Sequence, residues 1–511
     1  MKPRTARACL VALLALAAAP TAAVAATPAR QLEWRSCGER RECAAARVPL
    51  DHDQPRGRMI SLALVRVPAS DPSRRIGTVF VNPGGPGSSG ADFVRDFGDD
   101  LLTPAVRARF DLVGFDPRGV GASTPVRCFA SAEEQQTFLA PLPEFPVGRD
   151  EKRRFRRAMG ELGRRCRERN GDLLEHLSTA NVARDLDLLR RAVADRRLTF
   201  AGYSYGALLG LTYAGLYPER VRALMLDGPV DPVAWFTGRG PLDRRLPFSV
   251  RVGSHLASSD ALGVFLDRCQ AAGEDCAFAA FDTRARFDAL LVRLLEVGPV
   301  TADTPVGPLT VGYADVIEAM RGSLTVPQEW ALVAEILVAV ERAARARAPG
   351  AATASAAPAN TYDNEDEAQL AIACSETDNP RNPHRWAPVA RLADRQAPYF
   401  GALWTFLSQA CATWPARDSD RYLGPFDRPT AAPVLLVGTT HDPLVPFSGV
   451  ERLARELPNA TLLTLDSPGH LETNVSSACV RRAVERYLIA ATLPPPATVC
   501  APDTQPFEPP S

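Results

Sequence analysis

Lysine is almost missing from this chain of 511 residues. Only Lys2 and Lys152 carry an ammonium side chain, and arginine supplies the rest of the positive charge. The two signs of charge balance, so the formal net charge is zero. No basic stripe or acidic tail is present, which argues against nucleic acid and anionic membranes as partners. No C-x-x-C occurs and no Cys/His cluster has zinc spacing, so no metal is expected. The main glycine-rich loop is not followed by G-K-[ST], which removes a phosphate loop. No other cofactor is implied. Beyond the N-terminus no apolar run is long enough to span a bilayer, and no internal repeat is visible.

The composition is that of a globular protein, 46% hydrophobic and 23% charged. Its N-terminus reads as a targeting segment. Lys2, Arg4 and Arg7 form a basic start, Ala8 to Ala19 an apolar run, and Ala23-Val24-Ala25 a small-residue cleavage site. A cleaved signal peptide over 1–25 is expected, with a secreted product, extracellular or periplasmic. Cysteine usage agrees. Leaving out Cys9, the even set is Cys37, Cys43, Cys128, Cys166, Cys269, Cys276, Cys374, Cys411, Cys479 and Cys500. An even number in an exported chain suggests disulfides. Spacing favours sequence neighbours as partners, 37–43, 128–166, 269–276, 374–411 and 479–500, while sequence alone leaves connectivity open.

Short apolar stretches recur at Ile60–Val67, Thr78–Val81, Asp111–Phe115, Leu198–Ala201, Ala223–Leu226, Val434–Val437 and Ala460–Leu465. Helical patterns separate several of them, one over Asn181–Ala194. Such runs indicate a mostly parallel α/β sheet buried on both faces. From 231 to 429 the alternation breaks and the pattern becomes mainly helical, with Leu332, Val333, Ile336, Leu337 and Val340 at helical spacing. A low-complexity run, Ala348 to Asn360, follows. The expected organisation is a sheet core over 26–230 and 430–511, interrupted by a helical cap over 231–429.

Gly202-Tyr203-Ser204-Tyr205-Gly206 is G-x-S-x-G between a strand and a helix. In that context the sharp turn exposes the serine hydroxyl at the carboxyl edge of the sheet. A serine nucleophile needs a base, and the base needs an orienting carboxylate. The order Ser, Asp, His is supplied by Ser204, Asp442 and His470, the last two just beyond consecutive strands. Of the six histidines, His52, His176, His255, His384 and His441 lack either the order or the loop context. An oxyanion hole needs two backbone N–H donors. Tyr205 should give one. The other is expected from Gly85 in the run Asn82-Pro83-Gly84-Gly85-Pro86-Gly87, whose glycines allow close backbone approach.

These motifs, with Asp116-Pro117-Arg118-Gly119-Val120-Gly121-Ala122-Ser123, resemble the prolyl aminopeptidase family of α/β hydrolases. The closer similarity is to its secreted bacterial tripeptidyl-aminopeptidase-like branch. Cys37 and Cys43 before Val48-Pro49-Leu50-Asp51, and the piece from Gly469-His470 through Cys479 to Cys500, carry it. The resemblance covers nearly the whole mature chain. It implies the α/β-hydrolase fold with a helical cap, and the triad Ser204, Asp442 and His470. Pro83 stands where prolyl aminopeptidases usually have His, which tells against strict proline specificity.

The function implied is a serine exopeptidase that releases short peptides, tripeptides foremost, from free N-termini. An esterase or amidase using the same triad is the alternative, and a catalytically silent binding protein a third reading. An aminopeptidase must meet the substrate's α-ammonium with a carboxylate. The acidic stretch of the insertion offers Glu376 or Asp378, then Glu367.

Overall fold

The computed structural model describes residues 32–347 and 361–508. The expected signal peptide over 1–25 and the low-complexity run both lie outside the described residues. The strands are β1 (Arg35–Gly38), β2 (Arg41–Pro49), β3 (Met59–Val67), β4 (Gly77–Asn82), β5 (Phe110–Phe115), β6 (Leu198–Tyr203), β7 (Val221–Asp227), β8 (Val300–Thr304), β9 (Gly307–Val311), β10 (Val434–His441), β11 (Ala460–Pro468) and β12 (Val499–Cys500). Ten of them form one sheet in the order β1-β2-β3-β5-β4-β6-β7-β10-β11-β12. The pairs from β5 to β12 are parallel, whereas β1–β2, β2–β3 and β3–β5 are antiparallel.

The central strands are mostly apolar because both faces are covered. Along β4, Phe80 enters one core while Val79 and Val81 enter the other. Along β10, Val434 and Leu436 face the first core, and Leu435 and Val437 the second. The two-residue period thus sorts each strand between two helical layers. Between β7 and β10 the chain runs through helices such as Ser254–Ala272, Trp330–Ala346 and Glu365–Glu376. It also forms the β8–β9 hairpin, which the helical pattern did not announce.

All ten cysteines outside the N-terminal segment are bridged, in neighbour order: 37–43, 128–166, 269–276, 374–411 and 479–500. Four bridges anchor a cysteine that lies within a helix: Cys166, Cys269, Cys374 and Cys479. Closing a loop this way restricts the unfolded chain more than the folded one. No described helix is long and apolar enough to cross a membrane.

The D-P-R-G segment after β5 turns out to be framework. Asp116 accepts from Ser89 Oγ and Ala91 N with one oxygen, and from Ala122 N with the other. It thereby holds the start of helix Gly90–Phe97. Arg118 is fully buried. Its guanidinium makes two 2.7 Å bonds to Asp185 and donates to the carbonyls of Pro49, Leu50 and His176. Removing one partner of a buried pair leaves an uncompensated charge and costs about 3–5 kcal/mol. Asp185→Ala should therefore lose about that much stability. A urea titration checks it, and an unchanged midpoint would show that the pair does not hold the framework.

Candidate active site

Three loops at the carboxyl ends of the parallel strands meet. The first follows β6. Ser204 has φ 54 and ψ −124, outside the ordinary helical and strand regions, and helix Tyr205–Leu216 starts directly after it. Its N–H donates to the Asp227 carbonyl at 2.8 Å. The turn works because its neighbours lack side chains. A Cβ on Gly202 would lie 2.5 Å from the Gly206 carbonyl oxygen, and one on Gly206 would lie 2.2 Å from that of Asn82. Both are far inside van der Waals contact. The chain ends of β4 and β6 therefore approach at backbone distance only with glycine there.

The glycine run after β4 lies against this turn. A Cβ on Gly84 would meet the Tyr205 nitrogen at 2.9 Å and Ser204 Cβ at 3.1 Å. Sequence reasoning named Gly84 only as part of the run and singled out Gly85, yet Gly84 is the glycine packed on the serine. Its N–H donates to Asn82 Oδ1 at 3.1 Å. That bond engages the Gly84 N–H, so it is not a free donor. Gly85 has φ +99, a backbone shape that glycine adopts without strain.

The second loop carries Asp442 and the third His470. Asp442 Oδ1 accepts from the N–H groups of Leu444 and Val445, and Oδ2 lies 2.7 Å from His470 Nδ1. Both side chains are buried. With Nδ1 tied to the carboxylate, Nε2 is the imidazole nitrogen left for a proton transfer. Gly469 (φ +111) and Leu471 (φ 71) bracket the histidine in left-handed conformations, and His470 N donates to the Thr325 carbonyl. His441 instead pairs with Asp260 at 2.7 Å, so it does not compete for Asp442. Ser204 and His470 flank one stretch of backbone: Ser204 is bonded to the Asp227 carbonyl, and a Cβ on Gly228 would lie 3.3 Å from His470 Cε1.

Electrostatics favour a cationic histidine. Burial lowers the imidazole's affinity for a proton, but the charge and hydrogen bond of Asp442, with the charge of Asp227, outweigh it. The His470 pKa is raised above its ordinary value.

The insertion borders the site on two sides. Helix Glu365–Glu376 covers the glycine run: Ser88 Oγ donates to Glu365, and Gly87 has no room for a Cβ because the Glu365 carbonyl would lie 2.4 Å away. Pro327 and Gln328 pack on the histidine loop. The three carboxylates considered for an α-ammonium are placed less freely than expected. Asp378 is neutralised by Arg417 and Arg421 at 2.6 and 3.0 Å. Glu367 is buried and accepts from Cys128 N, Tyr362 Oη and Gln135 Nε2. Those two expectations are corrected, because the arginines and N–H groups that occupy them come from distant segments. Glu376 is wholly buried, accepting from Thr179 N, Thr179 Oγ1 and Trp235 Nε1. Thr179 Oγ1 also lies 2.5 Å from the Tyr205 hydroxyl. Burial pushes the Glu376 carboxyl up to about 7, against the pull of those donors.

Among the described residues one group, Asp51, His176 and Asp420, brings metal-ligand atoms within 4.8 Å of one another, on segments separate from these three loops. The loops themselves offer one carboxylate, one imidazole, one hydroxyl and backbone donors, the parts of covalent acyl transfer.

Gly206→Ala should damage the site through the clash with Asn82, with a cost of about 1–3 kcal/mol. Gly322→Ala, at a helix position with open space around it, should be neutral or stabilising. Thermal melts of both variants check the contrast. Equal melts would mean that the turn tolerates a side chain.

Comparison with known proteins bears on the fold and the family. The family model described as "alpha/beta hydrolase fold" matches residues 77–250, and the one described as "TAP-like protein" matches residues 397–500. The chain is similar to tripeptidyl aminopeptidase of Streptomyces lividans, 29% identical, with 95% of this chain and 90% of that protein covered. It is similar to serine protease Hip1 of Mycobacterium tuberculosis (strain ATCC 25618 / H37Rv), 31% identical, with 90% and 87% covered. It is also similar to carboxylesterase B of the same strain, 32% identical, with 93% and 91% covered.

Proposed function

We propose, since the chain belongs to the TAP-like family of α/β hydrolases and is a serine peptidase of that fold, that it is an exported exopeptidase. In this reading it releases short peptides, tripeptides foremost, from free N-termini. The observation that carries the chemistry is the buried 2.7 Å contact of His470 Nδ1 with Asp442 Oδ2 beside the strained Ser204 turn. Ser204 Oγ attacks the scissile carbonyl, and His470 Nε2 takes its proton. The oxyanion accepts from the N–H groups of Tyr205 and Gly85. His470 then returns the proton to the leaving amine. Water, activated the same way, frees the acyl peptide. Export is supported by ten bridged cysteines, which suit an oxidising compartment.

The preference for a free N-terminus needs a carboxylate, and Glu376 is the one of the three we retain. It is linked to Tyr205 through Thr179, and its three donors leave one of a carboxylate's roughly four acceptor positions open. Meeting an ammonium there requires movement of the Trp235 and Thr179 side chains. Glu376→Gln should reduce the preference for free over N-acetylated peptides. An unchanged preference rejects the assignment, and a wild type that cleaves both equally rejects the exopeptidase. The second reading, an esterase, is favoured by the relative whose name is carboxylesterase B. Peptide products resolved by mass spectrometry separate the two.

Ser204→Ala and His470→Ala should abolish turnover with the fold intact. Asp442→Asn should lose up to about 10⁴-fold in kcat through the wrong imidazole tautomer. Wild-type turnover in Ser204→Ala would end the whole reading. The raised His470 pKa sets the pH dependence. Activity needs the neutral imidazole, so kcat/KM should rise with pH through a midpoint above the ordinary histidine value of about 6.5. A midpoint below that value would contradict the electrostatics of the site.

A further inference from the structure

Asp227 takes no step in the mechanism above, yet it is hydrogen-bonded to two of the three loops. It ends β7, where its carbonyl accepts the Ser204 N–H at 2.8 Å. Its side chain turns the other way. Oδ2 accepts from the N–H of Glu472 at 2.8 Å, two residues beyond His470. One residue thus holds the serine turn by its backbone and the histidine loop by its side chain. The following residue, Gly228, is packed so closely that a Cβ would lie 3.3 Å from His470 Cε1 and 3.8 Å from Asp442 Oδ2.

The side chain is also incompletely satisfied. Asp227 is 1% exposed, and its Oδ1 has no hydrogen-bond partner among the described residues. The group lines a cleft on the second core face, with Tyr203, Thr103, Glu472, Arg481 and Glu485. The ionisable groups lining the cleft with it are Tyr203, Glu472, Arg481 and Glu485, and the charges of His470 and Asp442 also act on it. Arg481, the cation among them, is already engaged by Glu472 and Asp503. A buried carboxylate with one bare oxygen is costly, so a proton on Oδ1 is the cheaper state until a cation stands nearby. Burial, with the Glu472 and Asp442 charges, pushes Asp227 up to about 7, while the Glu472 N–H and a charged His470 pull it down.

We propose that Asp227 is a positioning residue of the hydrolytic centre, which joins the serine turn to the histidine loop and acts as a second, proton-exchanging carboxyl behind the His470 imidazolium. When His470 takes the serine proton, Asp227 releases its own to water in the cleft and adds a negative charge beside Asp442. When His470 is neutral again, Asp227 recovers the proton. No bond to substrate is involved.

The inference rests on the Ser204–His470–Asp442 reading, and the experiment keeps the two apart. The rate of labelling by a fluorophosphonate probe is measured against pH, since it needs only Ser204 and His470. Two coupled groups that stabilise each other's charged forms lose their protons over a broader range than one. The wild-type acid limb should therefore be wider than a single-proton curve. Asp227→Asn keeps an acceptor for Glu472 N but cannot ionise. It should give a single-proton limb whose midpoint is lower by half a pH unit or more, because His470 has lost one stabilising charge. Asp227→Ala also removes the tether and should label at least tenfold more slowly on the pH plateau. A single-proton limb in the wild type, or an Asp227→Asn limb that overlays it, overturns the proposal. Labelling that persists in Ser204→Ala overturns instead the reading beneath it.

Discussion

Backbone approaching backbone without side chains between them is the constraint on which this site depends. Gly202, Gly206 and Asn82 bring β6, the following helix and β4 together at distances no Cβ would tolerate. The turn between them has nowhere to go but outward, and it holds Ser204 in a strained conformation. Strain of this kind costs about 1–3 kcal/mol and persists only where the surroundings over-determine it. Here the surroundings are the hydrogen bond to Asp227, the contact with Gly84, and a sheet whose two faces are both sealed by core. The nucleophile's position is thus a property of the sheet rather than of a flexible loop.

The same sheet accounts for what could be read from the residues. Strands buried on both faces are mostly apolar runs, so β4, β5, β6, β7 and β10 were legible within a few residues, and the aliphatic, half-buried β3 and β11 were legible too. The three loops that carry Ser204, Asp442 and His470 leave the ends of such strands, and their chain order restricted the choice of base. β2 was not legible, because Arg41–Pro49 is rich in alanine and arginine and owes its conformation to its partner β3. The long helix Arg149–Asn170 was missed although Phe155, Met159, Leu162 and Cys166 mark one face at helical spacing, since its arginines dominate the composition. The surroundings of the insertion's carboxylates were hidden for another reason. Acidity is visible in a sequence, but Arg417, Arg421, Cys128 and Trp235, which meet Asp378, Glu367 and Glu376, are brought there only by the fold.

Asp227 belongs with these hidden residues. Its signal was an acid at the carboxyl end of a strand, followed by glycine, but strand-end aspartates are common turn formers. Only the structure shows that its two ends serve two different loops. The glycine run behaves likewise: the sequence marks a place of close approach, and only geometry distinguishes Gly84, which packs on Ser204, from Gly85, whose neighbour has already used its own N–H.

The sheet positions the inner edges of the three loops, and the insertion positions their outer edges. Thr325, Pro327 and Gln328 meet the histidine loop, while Glu365 and Gln369 meet the glycine run. Ser258 donates to the Pro443 carbonyl and Asp260 pairs with His441 at the loop of the acid. The histidine loop, the acid loop and the glycine run therefore each have one wall supplied by the sheet and one supplied by a segment 147 to 284 residues away in sequence. Part of the second wall is as closely packed as the first: a Cβ on Gly87 would lie 2.4 Å from the Glu365 carbonyl oxygen, and one on Gly469 2.8 Å from Pro327. The rest is made of hydrogen bonds, those of Gln369 and Asp260 at the surface and that of Ser258 buried.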